Sequence, residues 1–459
     1  MTRYLIIGNG AAGVSAAEEI GLTDTRAEVT IVNAEKHPMY SRPGLAYVVI
    51  NEIPDRQVIA RSLDWYAAKG ITLVQGAATR LDVEARQVEL ADGRRLPYDK
   101  LLIATGARAV PLPNPGHELD GVVYLDTLDG TRDLLRRAKR ARRAVVVGGG
   151  ITAFELVEGL AHHKVETHFL VRKDTLWSAV FNEKESRTLA ERMTEHGVHI
   201  HYRSEVAEVI GDARGRVTGV KLTSGEVLAC DLVGAGIGVK PQIGLARDSA
   251  LKLDKGILVD EYLQTIVPDV YAAGDCAQVW DRWTERYTLD SLWPSAVAAG
   301  RIAGRNMTAR YPGMRTAYVK GIAFNACLLF GLHITAMGQL GAGRELAEPD
   351  IVQHISRGSS EVMTTTPHAY ASAWSEQGAS SLRLVLSGQR LVGALVVGQQ
   401  TLADPLRDLI EWGTDLGPLR QDLALGGPAM TDRILRYWKL AKLRQSPEFA
   451  TTVHQGVWE

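Results

Sequence analysis

The chain has 459 residues, of which 46% are hydrophobic and 23% charged, and its formal net charge is −1. This composition is typical of folded globular domains and excludes a disordered or fibrous chain, while the near-neutral charge excludes the global basic field of nucleic-acid-binding proteins. The length exceeds that of one ordinary core, so we expect two or three domains.

The N-terminus and the cysteines indicate the compartment. A predicted strand begins at Tyr4, with no signal peptide before it and no apolar run near the roughly 20 residues that span a membrane. Cys230, Cys276 and Cys327 are widely separated and have no CxxC spacing, which argues against a disulfide framework, a four-cysteine zinc site and a four-thiolate cluster. We therefore expect a cytoplasmic protein without a membrane span.

The first motif lies at the N-terminus, where residues 4–13 read YLIIGNGAAG, a short apolar strand that leads into a GxGxxG loop and then a helix. Its glycines allow a tight turn, close approach of the backbone to a pyrophosphate and close packing of helix on strand. A second strand, residues 27–33, is followed by Glu35, 22 residues after the last glycine, where a carboxylate can accept from ribose hydroxyls. The residues of this predicted dinucleotide site are Gly8, Gly10, Ala12, Gly13 and Glu35.

A second dinucleotide motif follows at residues 144–155, which read AVVVGGGITAFE. Its second strand, residues 165–172, ends where enzymes that use NADH usually place an acid, but this chain has Arg172 and Lys173. Cations at that position suit a 2′-phosphate and favour NADPH; the alternative is that they are solvated charges at a strand end. We assign Gly148, Gly150, Ile151, Arg172, Lys173 and, from the later strand LVGAG, Gly236 to this site.

Two further motifs end buried strands: LLIATGARAVP at residues 101–111 and DVYAAGDCA at residues 269–277. With four motifs in this order, residues 1–330 resemble the FAD-dependent pyridine nucleotide-disulfide oxidoreductase superfamily, which has the glutathione-reductase-like fold. In that family the ATG turn, here with Thr105 and Gly106, marks the crossover between the FAD and NAD domains. The Asp of the GD motif, here Gly274 and Asp275, binds the ribityl chain of the flavin.

The resemblance implies an α/β fold with two Rossmann-like dinucleotide-binding domains, one for FAD and one for NAD(P), and a C-terminal α/β interface domain. The implied boundaries are 1–112 and 247–320 for a discontinuous FAD domain, 113–246 for the NAD(P) domain, 321–413 for the interface domain and 414–459 for a C-terminal extension.

The segment YSRPGLAY, residues 40–47, stands where disulfide reductases of the superfamily carry their redox cysteines. It looks like the rubredoxin/ferredoxin reductase and nitrite-reductase flavodomain branch, in which this stretch wraps the FAD pyrophosphate. Arg42 and Pro43 inherit that role, since a guanidinium binds phosphate in a bidentate manner. Many relatives continue with Ser-Lys, whose Lys pairs with a Glu beside flavin N5, but here Ala46 and Tyr47 follow.

Three residues occupy positions that the resemblance makes catalytic: Glu155, Tyr47 and Trp293. Glu155 matches the family Glu beside flavin N5, and the Lys that usually pairs with it is missing from this chain. Glu155 therefore either holds the nicotinamide amide or caps a helix turn. Trp293 lies where a helix N-terminus faces the flavin pyrimidine, and it either shields that edge or packs in the core. The three cysteines are predicted core residues. His199 and His201 share a strand face and indicate either a metal pair or, more simply, a solvated strand, so we predict no metal site.

These features predict an FAD-dependent NAD(P)H oxidoreductase in which hydride passes from nicotinamide C4 to flavin N5. Without redox cysteines, electrons then leave directly to an external acceptor: a small iron–sulfur protein such as ferredoxin or rubredoxin, or a partner subunit. The alternatives are an NAD(P)H oxidase or quinone reductase, and an NAD(P)H-responsive flavoprotein that acts through its interaction surface. We also expect a homo-oligomer, most simply a dimer.

The C-terminal region carries different patterns. A hairpin is predicted to turn at Ser387 and Gly388, and a helix is predicted over residues 403–413. Residues 431–444 read TDRILRYWKLAKLR, a basic amphipathic helix with Thr431 as its predicted N-cap. Such a helix docks on an acidic protein or membrane surface, or packs its apolar side on the interface domain or a dimer partner.

Overall fold

The computed structural model describes residues 1–340, 350–356, 370–372, 380–425 and 428–445. The chain forms two compact units: unit 1 comprises Met1–Leu170 and Ser204–Lys320, and unit 2 comprises Val171–Arg203 and Gly321–Glu459. These two units reflect how densely the chain packs and do not mark cofactor-binding domains. The domain boundaries expected from the sequence therefore stay a prediction.

The helices are α1 (Ala11–Thr23), α2 (Gly44–Val49), α3 (Leu63–Ala68), α4 (Leu128–Ala138), α5 (Ile151–His162), α6 (Glu183–Glu195), α7 (Trp293–Thr308), α8 (Ala403–Glu411), α9 (Arg420–Leu425) and α10 (Pro428–Arg444). The strands that precede the GD motif are β1 (Arg3–Ile7), β2 (Glu28–Asn33), β3 (Ile71–Gln75), β4 (Ala78–Asp82), β5 (Gln87–Leu90), β6 (Arg95–Pro97), β7 (Lys100–Ile103), β8 (Ala107–Ala109), β9 (Val122–Val123), β10 (Arg143–Gly148), β11 (Glu166–Val171), β12 (Val198–Tyr202), β13 (Val206–Gly211), β14 (Val217–Leu222), β15 (Val227–Ala229), β16 (Leu232–Gly236), β17 (Val239–Pro241) and β18 (Ile257–Leu258). The later strands are β19 (Val270–Ala272), β20 (Ala277–Asp281), β21 (Arg286–Leu289), β22 (Phe324–Leu329), β23 (Leu332–Gly338), β24 (Asp350–Ser356), β25 (Tyr370–Ser372), β26 (Ser380–Ser387) and β27 (Arg390–Val397).

The first predicted nucleotide motif folds as a strand, a glycine loop and a helix, β1 and α1. The strand lies in a parallel sheet of order β19-β7-β1-β2-β3. Leu5 and Ile6 of β1 are 2% and 0% exposed, and Leu101 and Leu102 of β7 are both 0% exposed. Such continuously apolar strands are expected where a parallel sheet is covered on both faces.

The second motif repeats this arrangement with β10 and α5. Strand β10 pairs in parallel with β11 on one side and with β16 on the other, and β16 pairs in parallel with β9. Likewise β1 has β2 on one side and β7 on the other. In open parallel sheets, ligands bind beside the carboxyl ends of the strands where the chain order reverses in this way. Gly8 and Gly148, at the ends of β1 and β10, lie at these two points.

Smaller sheets complete unit 1. Strands β8 and β17 form an antiparallel pair, and the other sheets have the orders β4-β5-β6, β13-β14-β15 and β18-β20-β21. The pair β8 and β17 joins the segment that leaves the first parallel sheet after β7 to the segment that follows β16 of the second.

Unit 2 contains a sheet of order β22-β23-β27-β26-β24-β25. Strands β26 and β27 form the predicted hairpin, and Gly388 in its turn has a φ of +61°, in the left-handed region. A second hairpin, β22 and β23, was not predicted; its turn residues Phe330 and Gly331 both have positive φ, +49° and +76°. The helix predicted over 403–413 is α8, Ala403–Glu411.

Helix α10 begins at Pro428, so the prediction of Thr431 as its N-cap is wrong. A proline suits a first helical turn because its φ is already fixed. The helix is partly packed within unit 2: Ile434 is 1% exposed, and Trp438 Nε1 donates to Asp408 of α8 at 3.0 Å. Lys439 is exposed and forms no ion pair with residues that the structure describes. Packing within unit 2 therefore covers part of the apolar side of α10, whereas Leu440 and Leu443 are 57% and 60% exposed.

Candidate cofactor and active site

The loop between β1 and α1 brings backbone groups to the end of the first parallel sheet. Gly8 has a φ of +119°, and a Cβ there would lie 2.0 Å from the Ala104 carbonyl oxygen, so only glycine fits. A Cβ on Gly13 would likewise lie 2.0 Å from the Gly8 carbonyl. Gly10, by contrast, has open space around its Cβ position, and as the N-cap of α1 it supplies no side chain to the first N–H groups. These N–H groups are suited to bind an anion.

The GD turn lies between two helices that begin at this site. A Cβ on Gly274 would lie 3.1 Å from Ala12 Cβ of α1 and 3.8 Å from Ala296 Cβ of α7. The pKa of Asp275 is raised by burial and by the charge of Asp290, while Arg42 acts in the opposite direction. Three sequence-predicted groups, the first glycine loop, Asp275 and Arg42, are therefore close enough to form one site.

Arg42 and Glu35, both predicted to contact FAD, also contact each other. Arg42 Nη2 donates to Glu35 Oε1 at 2.5 Å, and the Tyr40 hydroxyl donates to Glu35 Oε2 at 2.7 Å. The other guanidinium nitrogen donates to the backbone carbonyl of Asp126 and, at 3.3 Å, to its Oδ1. Asp126 was missed by the sequence analysis, since it lies 84 residues away in a stretch without a motif. Pro43 precedes α2 as its N-cap.

The ATG turn is hydrogen-bonded to the segment that follows β17. Thr105 Oγ1 donates to the Gln242 carbonyl at 2.6 Å, and Gln242 Nε2 donates to the Thr105 carbonyl at 3.1 Å. Gly106 has a φ of +68°. Gln242 was also missed, but these reciprocal bonds hold the two segments that cross between the parallel sheets of unit 1.

The second glycine loop has similar steric demands. Gly148 has a φ of +150°, and a Cβ there would lie 2.3 Å from the Gly236 carbonyl. A Cβ on Gly236 would in turn lie 2.7 Å from the Ala153 nitrogen. Gly150 has open space around its Cβ position, and no side chain caps α5, which begins at Ile151. Gly148 and Gly236 of the predicted site therefore lie against each other at the start of α5.

Arg172 and Lys173 directly follow β11, and the predicted strand of residues 165–172 ends one residue earlier than expected, at Val171. Both cations are exposed. Neither forms an ion pair with another described residue, so both are available to an anion.

Glu155 lies on the side of α5 that faces α2. Four residues further along α5, a Cβ on Gly159 would lie 2.0 Å from Val49 Cγ1 of α2, and His163 Nε2 lies 2.8 Å from the Val49 carbonyl. Residues four apart share a helix face, so Glu155 belongs to this contact region. Burial, and secondly the charge of Glu158, raises the pKa of Glu155 to about 8. The carboxyl is consequently neutral at pH 7.

The other two predicted catalytic residues lie on α2 and α7. Tyr47 of α2 is 36% exposed. Trp293 is the first residue of α7, is followed by Pro294 and packs, partly buried, against the core of unit 1. Packing is therefore one role of Trp293, and its position at the helix N-terminus is as expected.

The cysteines differ in environment. Cys230 and Cys276 are 4% and 0% exposed, and burial raises the pKa of Cys230 to about 12 and also raises that of Cys276. Cys327 in β22 is only half-buried, so the prediction that all three are core residues is wrong for this one. His199 and His201 lie on β12. Among the described residues, no group of three His, Cys, Asp or Glu side chains could hold a metal, and no helix is long and apolar enough to cross a membrane.

Comparison with known proteins agrees with this geometry. Residues 2–300 match the model of the pyridine nucleotide-disulphide oxidoreductase family. The chain belongs to this family. The ferredoxin reductase component of chlorobenzene dioxygenase from Cupriavidus sp. (strain PS12) is 32% identical over 315 residues, which are 67% of this chain and 76% of that protein. Nitrite reductase [NAD(P)H] from Bacillus subtilis (strain 168) is 25% identical over 417 residues, 90% of this chain, and the chain spans 48% of its length.

The fold is also that of a solved reductase. The ferredoxin reductase for the CYP199A2 system from Rhodopseudomonas palustris superposes with a TM-score of 0.79 and 24% identity, covering 92% of this chain and 97% of that one. Family membership confirms the predicted resemblance, and this likeness of fold confirms the predicted α/β class with Rossmann-like parallel sheets. The family also confirms the predicted class of pyridine nucleotide-dependent flavoprotein oxidoreductase.

Proposed function

We propose that this chain binds FAD at the first glycine loop and NAD(P)H at the second, and that it passes electrons from NAD(P)H to a small iron–sulfur protein. The observation that carries the proposal is the pair of parallel sheets, each with a sterically required glycine at its reversal point. Bound FAD would supply the chemistry, accepting hydride from the nicotinamide and releasing electrons to the acceptor. On this proposal residues 1–112 and 247–320 form the FAD domain and residues 113–246 the NAD(P) domain.

The residues at the first loop fit FAD. The uncapped N–H groups of α1 and the guanidinium of Arg42 suit a pyrophosphate, and Glu35 suits the hydroxyls of a ribose. Asp275 supplies a carboxyl group that is poorly hydrated, and the hydroxyls of a ribityl chain would replace the lost water. Pro43 fixes the backbone beside Arg42.

The residues at the second loop fit a nicotinamide dinucleotide. The N–H groups at Gly150 and Ile151 face an open space in which a pyrophosphate fits. Arg172 and Lys173 would meet a 2′-phosphate, and this favours NADPH. Because Glu155 is protonated at pH 7, it would donate a hydrogen bond to a carboxamide oxygen or hold a proton near the reacting rings.

An iron–sulfur acceptor is favoured by the lack of cysteines in residues 40–47 and by the relationship to the Cupriavidus ferredoxin reductase component. Two buried cysteines with raised pKa would be poor thiolate relays. A dimer and a cytoplasmic location stay predictions.

The proposal is tested by rapid mixing of the purified protein with NADPH or NADH without oxygen, followed by addition of oxidised ferredoxin, rubredoxin, a quinone or O2. We expect the flavin absorbance to bleach with either nucleotide, faster with NADPH, and to return rapidly only on addition of an iron–sulfur protein. If only O2 or a quinone reoxidises the flavin, that molecule is the acceptor and the iron–sulfur protein is not. If neither nucleotide bleaches the flavin, the proposal is wrong.

A further inference from the structure

An exposed pair of aromatic rings stands on the hairpin formed by β20 and β21. Trp280 and Tyr287 are cross-strand partners whose ring centroids lie 5.5 Å apart with an interplanar angle of 75°. Their exposed fractions are 51% and 43%. Single exposed apolar side chains are ordinary, but a paired Trp and Tyr that remain half in water match the composition of energetically dominant interface residues.

The opposite side of the hairpin is rigidly anchored. Asp281 is 5% exposed and accepts hydrogen bonds from Lys320 Nζ at 3.1 Å and from the Trp283 nitrogen at 2.9 Å. Val279, two residues earlier on the same strand face, is 7% exposed and so also points inward. Because side chains alternate along a strand, these inward contacts hold Trp280 outward in one orientation. A pre-organised ring loses little entropy when a partner covers it.

The exposed charges on the hairpin itself have a net positive sign. Arg282 and Arg286 are exposed and form no ion pair with any described residue, and Arg282 lies over the Trp283 ring at 4.7 Å. Glu285 is the exposed acid of this hairpin, whereas the charge of Asp281 is buried beside Lys320. Arg286 is the cross-strand partner of Asp281 and starts from the face opposite the aromatic pair, so it acts on a partner through its charge and not by contact with the rings. Two exposed guanidinium groups against one exposed carboxylate give the hairpin a positive field that favours an acidic partner, and arginine beside Trp and Tyr is typical of binding surfaces.

Both ends of the hairpin join the predicted flavin site. Strand β20 begins two residues after Asp275, and α7 with its Trp293 begins four residues after β21 ends. Between them Asp290 accepts a hydrogen bond from the Leu292 nitrogen at 3.2 Å, just before α7. The base of the hairpin is therefore fixed to the turn and the helix that would surround the flavin, while its aromatic pair faces solvent.

We propose that Trp280, Tyr287 and Arg282 form the docking surface for an acidic iron–sulfur protein that takes electrons from the flavin, and that Arg286 on the same hairpin adds to the positive field that steers it. This rests on the proposed function. One NAD(P)H supplies two electrons and releases one proton, so two one-electron acceptors dock in turn for each nucleotide that is oxidised. The rings provide apolar contact area, and the arginines steer the acidic acceptor.

The test uses the FAD-loaded protein with an acidic [2Fe–2S] ferredoxin and, separately, rubredoxin as probes, and a small dye as a control acceptor. The variants are Trp280→Ala with Tyr287→Ala, and Arg282→Glu with Arg286→Glu. We expect the KM for the iron–sulfur protein to rise at least tenfold in both, with dye turnover and the rate of flavin reduction by NADPH within twofold of the parent. Salt should slow ferredoxin reduction by the parent but speed it in the arginine variant, because the introduced carboxylates repel the acidic acceptor.

Tyr311→Ala is the matched aromatic control, because Tyr311 is 70% exposed but follows the far end of α7, a helix of 16 residues or about 24 Å. Arg214→Glu serves as the exposed charge control. An unchanged KM in both hairpin variants would overturn the docking surface and leave the proposed function standing. A parent that reduces the dye but neither iron–sulfur protein would overturn the acceptor and the docking surface together.

Discussion

Replacing Glu155 by Gln should stabilise the protein more as the pH rises. Folding raises the pKa of this carboxyl from its usual 4.5 to about 8, so the folded state holds a proton that the unfolded chain has lost. The resulting cost is absent below pH 4.5, grows as the pH rises towards 8, and is constant above that value. With about 1.36 kcal/mol for each tenfold change, the cost is about 1.4 kcal/mol at pH 5.5 and about 4.6 kcal/mol at pH 8.5.

Gln cannot ionise, so it removes this cost. The free energy of unfolding of Glu155→Gln, relative to the parent, should therefore be greater at pH 8.5 than at pH 5.5, by up to about 3 kcal/mol. Urea unfolding at saturating FAD measures it, with Glu84→Gln as a control because Glu84 is exposed in the same unit. An equal difference between Glu155→Gln and the parent at both pH values would refute the reasoning. Since Gln mimics the protonated acid, flavin reduction by NADPH should be preserved at pH 6.5 in the variant and should lose the parent's pH dependence near pH 8.

The remaining predictions concern the cofactors, the cysteines and the C-terminal helix. Heat should release FAD and not FMN, as chromatography of the supernatant will show, because Glu35 and the first loop are suited to an adenosine half that FMN lacks. Arg172→Glu should shift the ratio of kcat/KM for NADPH over NADH at least tenfold towards NADH, since a charge-assisted phosphate contact contributes about 1.5–3 kcal/mol; a parent that already prefers NADH contradicts this assignment. Replacing all three cysteines by Ala should leave the rate of flavin reduction within about tenfold of the parent, roughly 1.4 kcal/mol in barrier. A thousandfold loss of this rate in a folded variant would show that a thiol takes part in catalysis. Lys439→Glu should leave the melting temperature within about 2 °C, because surface substitutions seldom exceed 0.5 kcal/mol; a slower, salt-dependent reduction of ferredoxin in this variant would instead support docking by α10.

The glycine loops were predictable because their causes are local. A strand that ends in glycine and continues as a helix can be read from a dozen residues, and the structure shows why Gly8 and Gly148 admit no Cβ. The hairpin of β20 and β21 could also have been found, because residues 279–282 alternate between buried and exposed side chains before a polar turn.

Long-range polar partners were not predictable. Arg42 meets Asp126 across 84 residues, and Thr105 meets Gln242 across 137. Such pairs depend on how the sheets bring distant segments together, which the pattern of either segment does not encode. The predicted start of α10 was wrong for a different reason. Thr431 and Pro428 are both acceptable near a helix start, and local preference alone does not choose between them.

The pKa values of the carboxyl groups bear on the same residues as the motifs. Where the pKa of a described Asp or Glu is clearly shifted, it is mostly lowered by a guanidinium or by backbone N–H groups, as for Asp99 and Asp212 at about 2. For Glu155 and Asp275, by contrast, the pKa is raised, and burial is the main cause for both. Burying an acid without a cation costs stability, and such groups are concentrated where a ligand or a reaction uses them. The family resemblance also selects Glu155 and Asp275, so the sequence pattern and the electrostatics of the fold agree on these two residues as candidates.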